Sequence, residues 1–163
     1  MAWTSPRTWV AGETVTAALM NTHVRDNLKA IGDAWTSYTV TWTGSSTNPA
    51  IGNGTKTGAY IQAGKLVIFR ISITFGSTTT LGTGFYSFSL PVTSFDNKIA
   101  IGQGMAFDTS ATALSSLVVF IDNSGFTTVR AKDMATDGNV TASAPFAWAN
   151  GDEINLTGVY EAA

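Results

Sequence analysis

Two periods of hydrophobic residues run along this chain, and they divide it unequally. Met20, Val24, Leu28, Ile31 and Trp35 recur at spacings of four, four, three and four, with Thr22, Arg25, Asp26 and Lys29 between them. That spacing predicts one helix over Thr14–Trp35 with a single apolar face. Thr16 is placed to cap the first turn, Val15 and Met20 flank it as a hydrophobic staple, and Ala17, Ala18 and Leu19 favour helix. After this stretch the period changes to two. Val67, Phe69, Ile71, Ile73 and Phe75 occupy alternate positions of Lys65–Phe75, and Leu66 and Ile68 on the opposite side predict that the first half of this strand is buried on both faces.

Further strands are expected at Tyr38–Thr43, Ala59–Gln62, Phe85–Leu90, Ile99–Phe107, Leu114–Ile121, Phe126–Lys132 and Glu153–Tyr160, divided by runs of Gly, Asn, Asp, Ser and Pro. Short strands with no helices between them exclude a parallel βαβ architecture. They point to an antiparallel β-sandwich of jelly-roll type, with a closed barrel as the other architecture open. The expected organisation is an extended docking arm at 1–13, a helical stem at 14–36 and a β-sandwich head at 38–163.

The stem needs a partner. About 18 residues make a rod of roughly 27 Å, which is marginal in water unless its apolar face is covered. The cover is either the head or the same helix from neighbouring copies in a parallel bundle. Read as heptads, Ala17, Val24 and Ile31 fall at one core position and Met20, Asn27 and Ala34 at the other. Asn27 would then fix register within a bundle, or face solvent on a helix that packs within its own chain. The arm carries Trp3 and Trp9 around Pro6 and Arg7 without periodicity, and two tryptophans on an extended segment imply that it docks, on its own subunits or on a larger body. Trp3, Trp9, Met20, Val24, Asn27, Leu28, Ile31 and Trp35 are therefore the candidate assembly and anchoring residues.

Composition narrows the partners. The 163 residues carry a net charge of −2 with only 12% charged residues, so no basic field exists to attract nucleic acid or an anionic membrane. No run approaches the length of a membrane span, and MAWTSPRTWVAGE lacks the layout of a signal peptide, which implies synthesis in a cytoplasm. There is no cysteine, which excludes disulfides and thiolate metal sites. Abundant Thr and Ser with 16 glycines and little Lys or Glu suit exposed strand faces and turns, and a surface this uncharged is common on proteins that bury much of it in an assembly.

Residues that could carry chemistry are few. His23 is the one histidine, in mid-helix, and no serine sits in a GxSxG elbow, so a hydrolytic triad has no base and no nucleophile in place. The acids are scattered through turns, where turn formation accounts for them. Gly52–Gly58 contains glycines and Lys56 but leads into a strand, whereas a phosphate loop opens a helix. No catalytic residue, metal site or cofactor is expected. A glycan-binding role would fall to aromatics on head loops such as Tyr60, Phe85 or Tyr86, although each is more simply read as core.

Thr8–Ile31, through Trp9, Gly12-Glu13, Thr16-Ala17-Ala18, Asn21-Thr22-His23 and Arg25-Asp26-Asn27-Leu28, resembles a segment at the start of small minor tail and structural proteins of bacteriophages infecting actinobacteria. Asn48-Pro49, Gly52-Asn53-Gly54, Gly58-Ala59-Tyr60, Gly64-Lys65, Phe88-Ser89-Leu90-Pro91 and the ending Trp148–Asp152 with Gly158–Ala162 are similar to head domains of phage tail fibres. The resemblance implies a non-enzymatic virion structural protein, commonly a homotrimer with helices gathered on the three-fold axis and β-sandwich heads. A short tail fibre or spike is the first expectation. A capsid decoration at local three-fold sites is the second, and a module that binds host cell-surface glycan the third. The expected partners are further copies of the chain and other tail or capsid proteins of the virion.

Overall fold

The computed structural model describes residues 3–96, 99–121 and 125–163, so the turn expected at Asp122-Asn123-Ser124 lies outside the described residues. The chain is mainly β, with one helix among the described residues. Helix α1 runs through Ala17–Met20, Asn21–Arg25 and Asp26–Gly32, the middle segment being a π turn. Thr16 caps it as the sequence predicts, its hydroxyl accepting the Leu19 N–H at 3.3 Å. The helix stops at Gly32, short of Trp35, because Asp33 is already extended.

Among the described residues nine antiparallel strands follow: β1 Thr36–Tyr38, β2 Trp42–Gly44, β3 Thr55–Ala63, β4 Leu66–Thr74, β5 Tyr86–Ser89, β6 Ala100–Asp108, β7 Ala113–Ile121, β8 Thr128–Asp133 and β9 Glu153–Glu161. They form one continuous sheet in the order β1-β3-β4-β9-β6-β7-β8-β5-β2. The run Tyr38–Thr43, read as one strand, is two: β1 lies on one edge of the sheet and β2 on the other.

That placement dictates the shape. Nine flat strands would set their edges roughly 38 Å apart at strand spacing. The link 39–41 spans at most about 14 Å from Tyr38 to Trp42. The sheet must therefore curl until its edges meet, and side chains seal the seam: the Tyr38 hydroxyl donates to the Ser89 carbonyl at 3.1 Å, and the Thr41 N–H donates to the Ser89 hydroxyl at 2.8 Å. Gly58, opposite Tyr38 in the β1–β3 pair, makes room for this closure, since a Cβ there would lie 2.5 Å from both the Tyr38 ring and the Val40 side chain.

Alternation decides what goes inside. Val67, Phe69, Ile71 and Ile73 of β4 meet Ile154, Leu156 and Tyr160 of β9, Leu117, Val119 and Ile121 of β7, and Tyr86 and Phe88 of β5 in one buried core. Trp42 packs edge-on against Phe75 and Tyr86, and Phe75 stacks on Trp148 at 4.6 Å, closing one end of the roll with aromatic rings. The expectation that β4 begins buried on both faces does not hold. Leu66 is half exposed beside the surface pair Lys65–Glu161, because the outer face of the sheet there carries no second layer.

The acids in turns act as turn formers do. Buried Asp152 accepts the N–H groups of Thr109 at 3.0 Å and Ala149 at 2.7 Å. Asp108 accepts from Ala111 and Ser110, bonds that hold its carboxyl below the ordinary carboxylate range.

Candidate functional site

The arm and stem form one unit, and Asn27 joins them. Its amide oxygen accepts the Thr4 N–H at 2.9 Å, and its amide nitrogen donates to the Thr4 carbonyl at 2.7 Å and to the His23 carbonyl at 3.2 Å. An asparagine side chain thus pairs with a backbone unit much as a neighbouring strand would. The His23 ring nitrogen Nδ1 lies 3.2 Å from the Ser5 carbonyl and adds a second tie. Asn27 is buried as a result, so it neither faces solvent nor lies on an open seam, and the heptad alignment with Asn27 at a core position is closed off by the arm.

Farther along the arm, a turn over Val10–Glu13 is closed by the Glu13 N–H to the Val10 carbonyl, with Gly12 at φ +82°. Arg7 pairs with Glu13 and lies 4.9 Å over the Trp9 ring. Trp3 reaches the head, where its indole covers Gly64 in the tight turn between β3 and β4.

Against the head the helix sets its small side: Ala30 is buried, and a small recess beside it is lined by Asp33, Ala34, Tyr60 and Gln62. The apolar stripe that the period identifies points elsewhere. Met20 is 43% exposed, Val24 36%, Leu28 65% and Ile31 58%. Trp35, just past the helix, lies with the Arg70 guanidinium 4.7 Å over its ring. Of the sixteen large hydrophobic side chains exposed among the described residues, nine fall between Trp3 and Trp35. The structure therefore brings the sequence-predicted assembly residues onto one appendage and leaves most of them uncovered.

The aromatics considered for a ligand divide differently. Tyr86 is fully buried, with its hydroxyl donating to the Leu81 carbonyl at 2.8 Å, so it cannot face a ligand; its strand alternates inward at that residue. Tyr60 packs edge-on against Tyr38 beside the stem, and Phe85 lies beneath the Arg130 guanidinium at 4.2 Å. The three do not share a surface.

A different surface does gather polar groups. On the outer face of the sheet, Ala59, Arg70, Thr157 and Gln103 stand side by side across β3, β4, β9 and β6, fixed by the pairs Ala59↔Arg70, Arg70↔Thr157 and Gln103↔Thr157. One pleat along, Thr57, Ser72, Asn155, Met105 and Ser116 make a second row that reaches β7. Trp35 and Met134 also line the resulting groove, whose volume is about 960 Å³. Each strand's polar alternation is legible in the sequence. Which polar residues become neighbours depends on strand order and register, and the sequence carries no direct signal for either.

Among known proteins, no family model matches the chain. The chain is 27% identical over 125 residues to the Mu-like prophage FluMu defective tail fiber protein of Haemophilus influenzae, an alignment that covers 76% of this chain and 20% of that protein. The chain thus spans about a fifth of the length of that relative. No solved structure matches.

Proposed function

We propose that this chain is a non-enzymatic structural component of a bacteriophage virion, a short tail fibre or minor tail protein. Its β-head is carried on a stem that associates with the stems of two further copies, and its arm docks on a neighbouring virion protein. The observation that carries the reading is the uncovered stripe of Met20, Val24, Leu28 and Ile31 on a helix whose side at Ala30 already rests on the head. An apolar stripe left open on a helix this short needs a cover, and parallel copies of the same stripe supply one. The similarity to a prophage tail fibre protein supports the fibre-like role.

Light scattering on the purified full chain provides the test. A trimer is expected, and the double substitution Leu28→Asp with Ile31→Asp is expected to give a monomer with an unchanged β spectrum, since both side chains are exposed in the single chain. A wild-type chain that stays monomeric at high concentration would overturn self-association through the stem.

A further inference from the structure

We infer that the groove on the outer face of β3, β4, β9, β6 and β7 binds an oligosaccharide bearing an anionic group, which Arg70 holds. This goes beyond the assembly role proposed above, and it rests on the groove's own chemistry.

Five adjacent strands at about 4.8 Å spacing give a floor roughly 19 Å across, which suits an oligomer better than a single small ring. Among the described residues, Arg70 is the one charged residue lining it. Its guanidinium lies over Trp35, and among the described residues no carboxylate pairs with it, so its planar fork of donors is available to a carboxylate or phosphate. Beside it, the exposed Gln103 amide offers both a donor and an acceptor. Asn155 commits its amide nitrogen to Glu153 at 3.0 Å, which leaves its oxygen as an acceptor. Thr157 donates to the Phe69 carbonyl at 3.0 Å, which leaves its hydroxyl oxygen as another. Donors and acceptors therefore alternate along the floor, as a ligand with neighbouring hydroxyls requires.

Other ligand classes fit less well. Strands β4, β9 and β6 at the centre of the groove are paired on both sides, and β1 covers β3 over Gly58–Tyr60, so the groove's floor offers no free backbone ladder for a peptide to extend. A single cation cannot neutralise the phosphates of a nucleic acid. A saccharide has hydroxyl edges for the two polar rows and an apolar ring face for Trp35 and Met105, and one acidic substituent matches the Arg70 guanidinium.

The test uses the full chain on an array of neutral, uronic-acid-containing and phosphate-bearing bacterial oligosaccharides. Retention is expected on one acidic class, at least ten-fold above its neutral counterpart, and the class retained identifies the anion. Arg70→Gln is expected to remove that preference. Gln103→Ala, an exposed change remote from the core, is expected to weaken retention at least three-fold. Both variants should keep the wild-type native mass, so a failure of stem assembly would be seen separately. No retention on any spot, equal retention of neutral and acidic ligands, or an Arg70→Gln variant that keeps its preference would each overturn the inference.

Discussion

Strand β4 and helix α1 carry equally regular hydrophobic patterns and meet opposite fates. Val67, Phe69, Ile71 and Ile73 are essentially without exposure, whereas Met20, Val24, Leu28 and Ile31 keep between 36% and 65% of theirs. Periodicity identifies which side chains share a face, and it is silent on what covers that face. In the head, the chain supplies its own cover by curling one sheet onto itself. In the stem, the side placed against the head is the small one around Ala30, and the large apolar side chains are left over. Apolar residues inside the roll hold the fold together, and those outside it are available for association.

The contrast can be broken most severely in the head. Ile71→Ala removes a fully buried side chain and is expected to cost about 2–5 kcal/mol in denaturant unfolding, since the surrounding strands cannot collapse onto the cavity. High pH is expected to act next. Burial raises the Tyr38 and Tyr86 phenols well above their ordinary value and puts Tyr160 at about 12, against about 10 for a free phenol. Below pH ~10 these groups are protonated in both states and stability is unaffected by them. Above it the unfolded chain loses protons that the folded chain retains, so stability falls as pH rises towards 12. Ultraviolet absorbance should show these tyrosines ionising together with the loss of β structure, and their ionisation in a chain that stays folded would contradict the buried assignment.

A smaller effect is expected at the join of the two regions. Asn27→Ala leaves the Thr4 N–H and carbonyl without their partner and should cost about 1–2 kcal/mol locally. Hydrogen exchange would show it as faster exchange at Thr4 and neighbouring arm amides, with the amides of β4 unchanged. The smallest effect sharpens the comparison from the other side: Leu28→Ala should change the unfolding energy of the isolated monomer by no more than about 0.5 kcal/mol, because that side chain is already in water.

The helix and the alternating strands were legible because their signals are local. Thr16 capping Leu19 and the inward set on β4 are decided within a few residues of sequence. What the sequence withheld depends on distant partners. The alternation over Tyr38–Thr43 continues across a break in which the chain passes from one edge of the sheet to the other, and only strand order reveals it. Trp35 keeps helical spacing with Ile31 although the helix has ended at Gly32. Asn27 suggested a bundle core or solvent, and its partner is a backbone unit 23 residues earlier, with no side-chain pattern to announce it. The outer-face groove was hidden for the same reason, since Arg70, Gln103 and Thr157 become neighbours only through pairings across three strands.

The three-residue link between the sheet's edges also has a mechanical meaning. A pull on the stem reaches β1 first, which is held to β3 by only three residue pairs. The link then carries the load directly to β2 on the opposite rim, which is held to β5 by three more. Two short seams, one at each rim of the roll, are therefore loaded one after the other along a single path, with Tyr38 and Thr41 both anchored at Ser89 between them. Tension applied through the helix acts on both rims of the head at the point where they meet.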